Sequence, residues 1–445
     1  MVVVSAMRCI GLVILLLFGL GLGMGMAQAD TSVTALLDRY RAEPQNASLC
    51  EQIGIAYTRT GQLNEAAEFF RKAVNLRPQA VSSRKNLATV LWFLNQKREA
   101  EQLFAALEKT VPNDPVPQLY LGLAAYESSN FAQAASHFDR AGPLASDNPD
   151  VLPIVIDAYL SAKKFERAGA ILETRTAYAD APSQLYRWLA QAYDGQQLPD
   201  KAYKAYSAAI EREPAVEENY LALAAFAIEH GNSSFARDIL NRGMRQKPGS
   251  AKLLFESGIT WALDGDYENA RKDFVSASAA DGRWPLPVFA LGVVELQTGN
   301  ADEAGNQFRR AKQIAPGDYR CYYLHALALN RSATRESAAT RAEVISELRH
   351  ALALNPKQPK ALADLAQAEL DDGKKQAAEA DLRAALRLDP GEPTALYRLA
   401  LLHRREGKTA EAERLMQLFQ QSKQKTSDAQ NEFVLILKTV DAVAR

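Results

Sequence analysis

"GIAYTRTGQLNEAAEFFRKAVNLRP", from Gly54 to Pro78, sets small residues, aromatic residues and a closing proline at fixed spacings. The small residue that opens this stretch returns every 34 residues, with an offset in the last third of the chain. A period of this length is typical of an array of repeated helical units. Ten of the eleven positions in this series hold Gly or Ala: Gly54, Ala88, Gly122, Ile156, Ala190, Ala224, Gly258, Gly292, Ala326, Ala366 and Ala400.

Other positions repeat in step with the small residue. Twelve residues later, ten of the eleven units have Ala, and four residues after that every unit has a larger apolar side chain. Apolar residues at helical spacing predict two amphipathic helices per unit, and the small residues allow these helices to approach closely. A glycine is expected in the turn between the two helices, where φ is positive. Six units supply it, as Gly61, Gly231, Gly265, Gly299, Gly373 and Gly407.

This pattern resembles the tetratricopeptide repeat family, whose signature is well met by Ile53, Gly54, Tyr57, Ala66, Phe70, Ala73 and Pro78. The resemblance implies an all-α fold, a right-handed superhelical solenoid of about eleven helical hairpins whose first helices line a concave face. The units are expected over residues 47–424, with an insertion in the ninth unit at about 331–343. Because a solenoid needs soluble ends, capping helices are expected at 30–46 and 425–445.

The N-terminal residues 1–29 have the pattern of a targeting segment. Arg8 precedes an apolar, glycine-rich run, and Ala27, Gln28 and Ala29 follow before Asp30. This order is typical of a secretory signal peptide, so we expect cleavage after Ala29 and a periplasmic or secreted protein. The alternative is an uncleaved membrane anchor, because the apolar run of 18 residues is just long enough to span a bilayer.

Charge and reactive residues give little sign of chemistry. The formal net charge is −1, which lacks the basic footprint of a nucleic-acid-binding protein. Beyond residue 29 the cysteines are Cys50 and Cys321, and they are expected to be buried rather than paired. The five histidines are scattered and have no metal-ligand spacing. We therefore predict no catalytic residues, no cofactor, no metal and no enzymatic activity.

The resemblance also implies which residues line the concave face. The main predicted partner-binding set is apolar and lies in units 6 to 9: Leu221, Ile228, Phe255, Ile259, Leu263, Phe289, Val293, Leu296, Tyr323 and Leu327. A secondary set lies nearer the N-terminus: Trp92, Phe93, Leu123, Tyr126, Arg187, Gln191 and Asp194. An exposed apolar groove would accept an extended or helical segment of a protein. The alternative is that tight curvature buries these side chains among neighbouring first helices.

These observations predict a non-enzymatic, exported scaffold for protein–protein interaction. By resemblance, such arrays support envelope assembly, pilus systems or polysaccharide export. The alternative function is a polysaccharide-binding or carrier protein, in which Trp92, Phe93, Tyr126 and Tyr323 would stack on sugar rings. Exposure of these aromatic rings distinguishes the two functions.

Overall fold

A computed structural model describes residues 33–426 of the chain. Every regular element within these residues is an α-helix, which confirms the all-α prediction. The chain divides into two compact units, one ending at Ala209 and the other beginning at Ile210. The predicted signal segment 1–29 lies outside the described residues, as does nearly all of the predicted C-terminal cap 425–445.

The first unit consists of successive helices that pack against their neighbours in the chain. Its helices are α1 (Val33–Ala42), α2 (Ala47–Arg59), α3 (Leu63–Leu76), α4 (Val81–Phe93), α5 (Lys97–Thr110), α6 (Pro115–Glu127), α7 (Phe131–Ala141), α8 (Pro143–Ser146), α9 (Leu152–Ser161), α10 (Phe165–Thr176), α11 (Ser183–Gly195) and α12 (Pro199–Arg212), the last of which contains the boundary. Helix α1 buries Leu36 against Leu49, Ile53 and Phe69, so it covers the first hairpin.

The second unit repeats the hairpin arrangement, and each hairpin packs on the next. Its helices are α13 (Glu217–Glu229), α14 (Ser233–Gln246), α15 (Ala251–Leu263), α16 (Tyr267–Ala280), α17 (Pro285–Gln297), α18 (Ala301–Ile314), α19 (Tyr319–Arg331), α20 (Ala338–Leu354), α21 (Pro359–Asp371), α22 (Lys375–Leu388), α23 (Pro393–Arg405) and α24 (Thr409–Thr426). In the ninth repeat, where an insertion is predicted at about 331–343, residues 332–337 join α19 to α20, and α20 has 17 residues.

The repeated small residue meets the repeated large residue inside each hairpin. A Cβ built on Gly258 would lie 2.6 Å from the ring of Phe274, which is fully buried. Gly54, Gly122 and Gly292 face a phenylalanine ring in the same way. In the fourth unit the two positions hold Ile156 and Leu172, so a larger residue on the first helix accompanies a smaller one on the second. The two positions therefore pack against each other between the helices of a hairpin.

The turns inside the hairpins require a left-handed residue. All six glycines predicted there have positive φ, for example 74° at Gly231. Four other turns place a non-glycine residue in the same conformation: Asn95, Ser129, Lys163 and Gln197. These four positions carry the strain that an L-residue experiences at positive φ.

One break in the repeat was not predicted from the sequence. Helix α7 ends at Ala141 because Gly142 adopts a φ of 57°, and Pro143 then begins the four-residue helix α8. Arg175 on α10 donates a hydrogen bond to the carbonyl of Ser146, 3.1 Å away, and forms an ion pair with Asp147. Its long side chain therefore ties α10 to the end of α8.

Candidate functional site

The structure separates the predicted partner-binding set by burial. Phe255, Phe289 and Val293 are only 2%, 2% and 3% exposed, so they do not form an accessible surface. The ring of Phe255 lies between the rings of Phe274 and Trp284, with centroid distances of 5.5 and 4.9 Å. These three residues are therefore core residues, and their placement on the binding surface is corrected. The physical reason is that side chains of neighbouring helices pack on all three residues and cover them in one core cluster.

The other seven residues of the set are half-buried. Four of them pack on the same core cluster, which contains Phe255, Phe289 and Val293. These four residues, which we call the first-helix strip, come from three successive first helices: Ile259 on α15, Leu296 on α17, and Tyr323 and Leu327 on α19. Leu221 and Ile228 on α13 and Leu263 on α15 are half-buried on first helices of the same unit.

A chain of hydrogen bonds, which we call the polar relay, holds Tyr323 of the first-helix strip in place. The hydroxyl of Tyr323 donates a hydrogen bond to Asp364 Oδ2, 3.0 Å away. Arg398 Nη1 donates to the other carboxylate oxygen of Asp364, 3.1 Å away. Burial, followed by the negative charge of Asp364, raises the pKa of the Tyr323 phenol well above its usual value. The hydroxyl thus stays protonated, and the ring is held across helices α19, α21 and α23.

An open depression of about 420 Å³ lies beside this relay. It is lined by Gln367, Pro393, Thr394, Tyr397, Arg398, Leu401 and Phe419. Tyr397 is 42% exposed, and its ring centroid lies 5.3 Å from that of Phe419. This apolar surface was not predicted from the sequence. Tyr397 and Leu401 hold the same repeat positions as Phe255 and Ile259, and this equivalence is the signal that could have identified them.

The secondary set, in the first compact unit, offers less accessible apolar surface than the first-helix strip. Trp92 is only 8% exposed and packs against Tyr120, with ring centroids 5.4 Å apart, so it too is corrected to a core residue. Phe93, Leu123 and Tyr126 are half-buried, and the Tyr126 hydroxyl donates a hydrogen bond to Asp157. The polar members of the set are exposed or half-buried: Gln191, Arg187 and Asp194.

The two cysteines of the described residues are free and buried, as expected from the sequence. Burial raises the pKa of the Cys321 thiol to about 12 and also raises that of Cys50. Because the thiolate is the reactive form, neither cysteine is a nucleophile at neutral pH.

Comparison with known families agrees with this architecture. Family profiles described as tetratricopeptide repeat match residues 35–120 in the first unit, and 264–319 and 347–426 in the second. The chain belongs to the tetratricopeptide repeat family. In this tetratricopeptide repeat protein, the matched ranges together cover about half of the chain and fall in both compact units.

Several solved structures are similar to this chain at low sequence identity. Yeast Tom70 is 18% identical, with 93% of this chain and 91% of that chain covered and a TM-score of 0.42. The hetero-tetramer of Cut9 and Hcn1 from APC/C gives a match of 14% identity, 90% coverage of both chains and a TM-score of 0.41. YrrB, a TPR protein with an unusual peptide-binding site, is 16% identical, with 44% and 98% covered and a TM-score of 0.38.

Proposed function

We propose that this chain is a non-enzymatic scaffold that binds a segment of a protein partner along the first-helix strip. The observation that carries the proposal is the strip itself. Ile259, Leu296 and Leu327 are half-buried aliphatic side chains on three successive first helices, and all pack on one core cluster. Apolar side chains held side by side at a surface favour contact with an apolar partner.

The chemistry of the strip favours a protein segment over a polysaccharide. Three of its four half-buried side chains are aliphatic, and an extended or amphipathic segment can place Leu, Ile or Phe side chains against them. A sugar ring instead needs an accessible aromatic face. Trp92, the largest ring among the glycan candidates, is buried, and the hydroxyl of Tyr323 already donates to Asp364. These contacts support the protein-binding function as the stronger of the two.

The proposal includes a location outside the cytoplasm. It rests on the signal-like pattern of residues 1–29, and it would connect the scaffold with envelope assembly, a pilus system or polysaccharide export. Cell fractionation with N-terminal sequencing of the mature protein tests this part. We expect a mature chain that begins at Asp30 in a periplasmic or secreted fraction. A full-length chain in the membrane fraction would support the anchored alternative instead, and a cytoplasmic chain would contradict export.

Site-specific photo-crosslinking in the native host tests the binding surface. Probes are placed at Ile259, Leu296 and Leu327, one on each of α15, α17 and α19. The matched control is Val275, which is apolar and 52% exposed but lies on the second helix α16. We expect crosslinks to a protein from the three strip positions and none from the control. Equal crosslinking at Val275, or no crosslink from a folded protein, would contradict the proposal.

A further inference from the structure

A cluster of possible metal ligands lies away from the first-helix strip. His325 projects from α19, while Glu343 and Glu347 lie one turn apart on α20. One ligand atom from each of these residues lies within 4.8 Å of the other two. Residues four apart on a helix share a face, so α20 presents both carboxylates towards the same neighbour. A nitrogen and two carboxylate oxygens form a donor set that suits Zn²⁺.

A cation already contacts two of the three residues of this cluster. The ammonium group of Lys312 lies 2.9 Å from His325 Nδ1 and 2.7 Å from Glu347 Oε1. An ammonium group only donates hydrogen bonds, so His325 Nδ1 is the acceptor in this contact. The lone pair of Nδ1 therefore points into the cluster, which is the form in which histidine binds a metal.

Two polar atoms in the cluster remain without hydrogen-bond partners among the described residues. They are His325 Nε2 and Glu347 Oε2, and both are buried. His325 is completely buried, whereas Glu343 is exposed. Buried polar atoms are normally satisfied, so the unused oxygen of Glu347 indicates unfilled capacity for a cation. Glu343 is therefore the member of the cluster that solvent reaches.

We propose that Zn²⁺, or a similar divalent transition-metal ion, binds here in exchange for the Lys312 ammonium group. His325 Nδ1, Glu347 and Glu343 are the protein ligands, and water completes the coordination. The ammonium group also lies 5.3 Å from the centre of the Tyr322 ring, a cation–π contact that it can keep after it leaves His325 and Glu347. No spacing rule on a single helix reveals this set, because His325 and Glu343 belong to different helices.

The experiment is a Zn²⁺ titration of the chain without an affinity tag, in competition with a chromophoric chelator. Three variants decide the result: Glu343→Gln, Lys312→Met, and Glu336→Gln as a control on an exposed glutamate that lies just before α20. We expect one Zn²⁺ per wild-type chain. Glu343→Gln should weaken binding by roughly tenfold or more, the scale on which shell residues affect metal affinity. Lys312→Met should tighten it because the competing cation is gone, and Glu336→Gln should change nothing.

The variants keep the test independent of folding. Glu343 is exposed, so its replacement leaves the core intact, and circular dichroism checks that each variant remains helical. X-ray absorption of the zinc-loaded chain should show nitrogen and oxygen ligands and no sulfur. Absence of saturable binding would overturn the proposal. It would also be overturned by binding that Glu343→Gln does not weaken or that Lys312→Met does not tighten.

Discussion

Substitution of Gly258 by alanine tests the close glycine–phenylalanine packing that is found in four of the hairpins. The new methyl group would lie 2.6 Å from Cε1 and 2.7 Å from Cδ1 of Phe274. Both distances are far below van der Waals contact, and Phe274 is fully buried, so the ring must shift against its packed neighbours to admit the methyl group. Overpacking of this kind costs up to about 3 kcal/mol. Alanine gains about 1 kcal/mol in helix propensity over glycine, which leaves a net destabilisation of about 2 kcal/mol.

A matched control, Gly305, lies in the same compact unit but in the next repeat. Gly305 is also inside a helix, but the nearest atom to its added Cβ would be 3.8 Å away, which is ordinary contact. Gly305→Ala should therefore stabilise its helix by up to about 1 kcal/mol. A second-site change provides a stricter test. Gly258→Ala combined with Phe274→Leu recreates the pair Ala224 and Leu240, and the shorter side chain should relieve much of the clash.

The assay must resolve one hairpin, because long repeat arrays do not unfold in a single two-state step. Hydrogen exchange of the amides in α15 and α16 reports local opening free energy. We expect faster exchange in these helices for Gly258→Ala, recovery in the double variant, and slower or unchanged exchange in α18 for Gly305→Ala. If Gly258→Ala left exchange in α15 and α16 unchanged, or if the two substitutions were additive, the packing argument would be refuted.

Three further predictions follow from strain, charge and burial. Lys163→Gly should stabilise the α9–α10 turn by about 0.5–1 kcal/mol, because Lys163 has a φ of 57°. The control is Lys164→Gly, where φ is −88°. Thermal unfolding should show a higher midpoint for Lys163→Gly and no increase for the control. Burial and the nearby Glu369 carboxylate raise the pKa of Asp381 to about 6. A raised carboxyl pKa gives stability that is complete below the unfolded value, near 3.8, and is lost as the pH rises through about 6. Asp381→Asn should therefore be more stable than wild type at pH 7.5, by about 1 kcal/mol after discounting for partial exposure. At pH 4 the two proteins should differ little in stability. A constant difference between pH 4 and pH 7.5 would contradict the raised pKa of Asp381. Finally, Cys321 should resist alkylation at pH 8 in the folded protein and react once the chain is unfolded, because burial raises its thiol pKa to about 12; rapid labelling of the native chain would contradict its burial.

The repeat could be predicted because its defining residues recur at a fixed period. Gly258 and Phe274 are 16 residues apart, and Gly54 and Phe70 have the same separation. This recurrence predicts that the two helices of a hairpin approach each other closely at these residues. The turn glycines were predictable for the same reason. Gly142 followed by Pro143 was a local signal that the helix ends there. It was not used, because the 34-residue period continues unchanged through this segment.

Exposure of the candidate site could not be read from the period alone. Phe255 and Tyr397 hold the same repeat position, yet one is buried and the other is 42% exposed. The difference comes from neighbouring side chains, since Trp284 packs on Phe255 and no repeat position specifies a tryptophan there. The Lys312, His325 and Glu347 cluster was likewise invisible, because it forms only when three helices are packed together.

The most direct test of the central claim measures partner binding after a charge is placed in the first-helix strip. Ile259→Asp and Leu327→Asp are compared with Val275→Asp, using the partner segment identified by crosslinking. Burial of one such aliphatic side chain contributes about 1.5–3 kcal/mol, so each strip variant should weaken binding by about tenfold to a hundredfold. The control should bind like wild type. Unchanged affinity in both strip variants, with helical content preserved, would contradict binding along the strip.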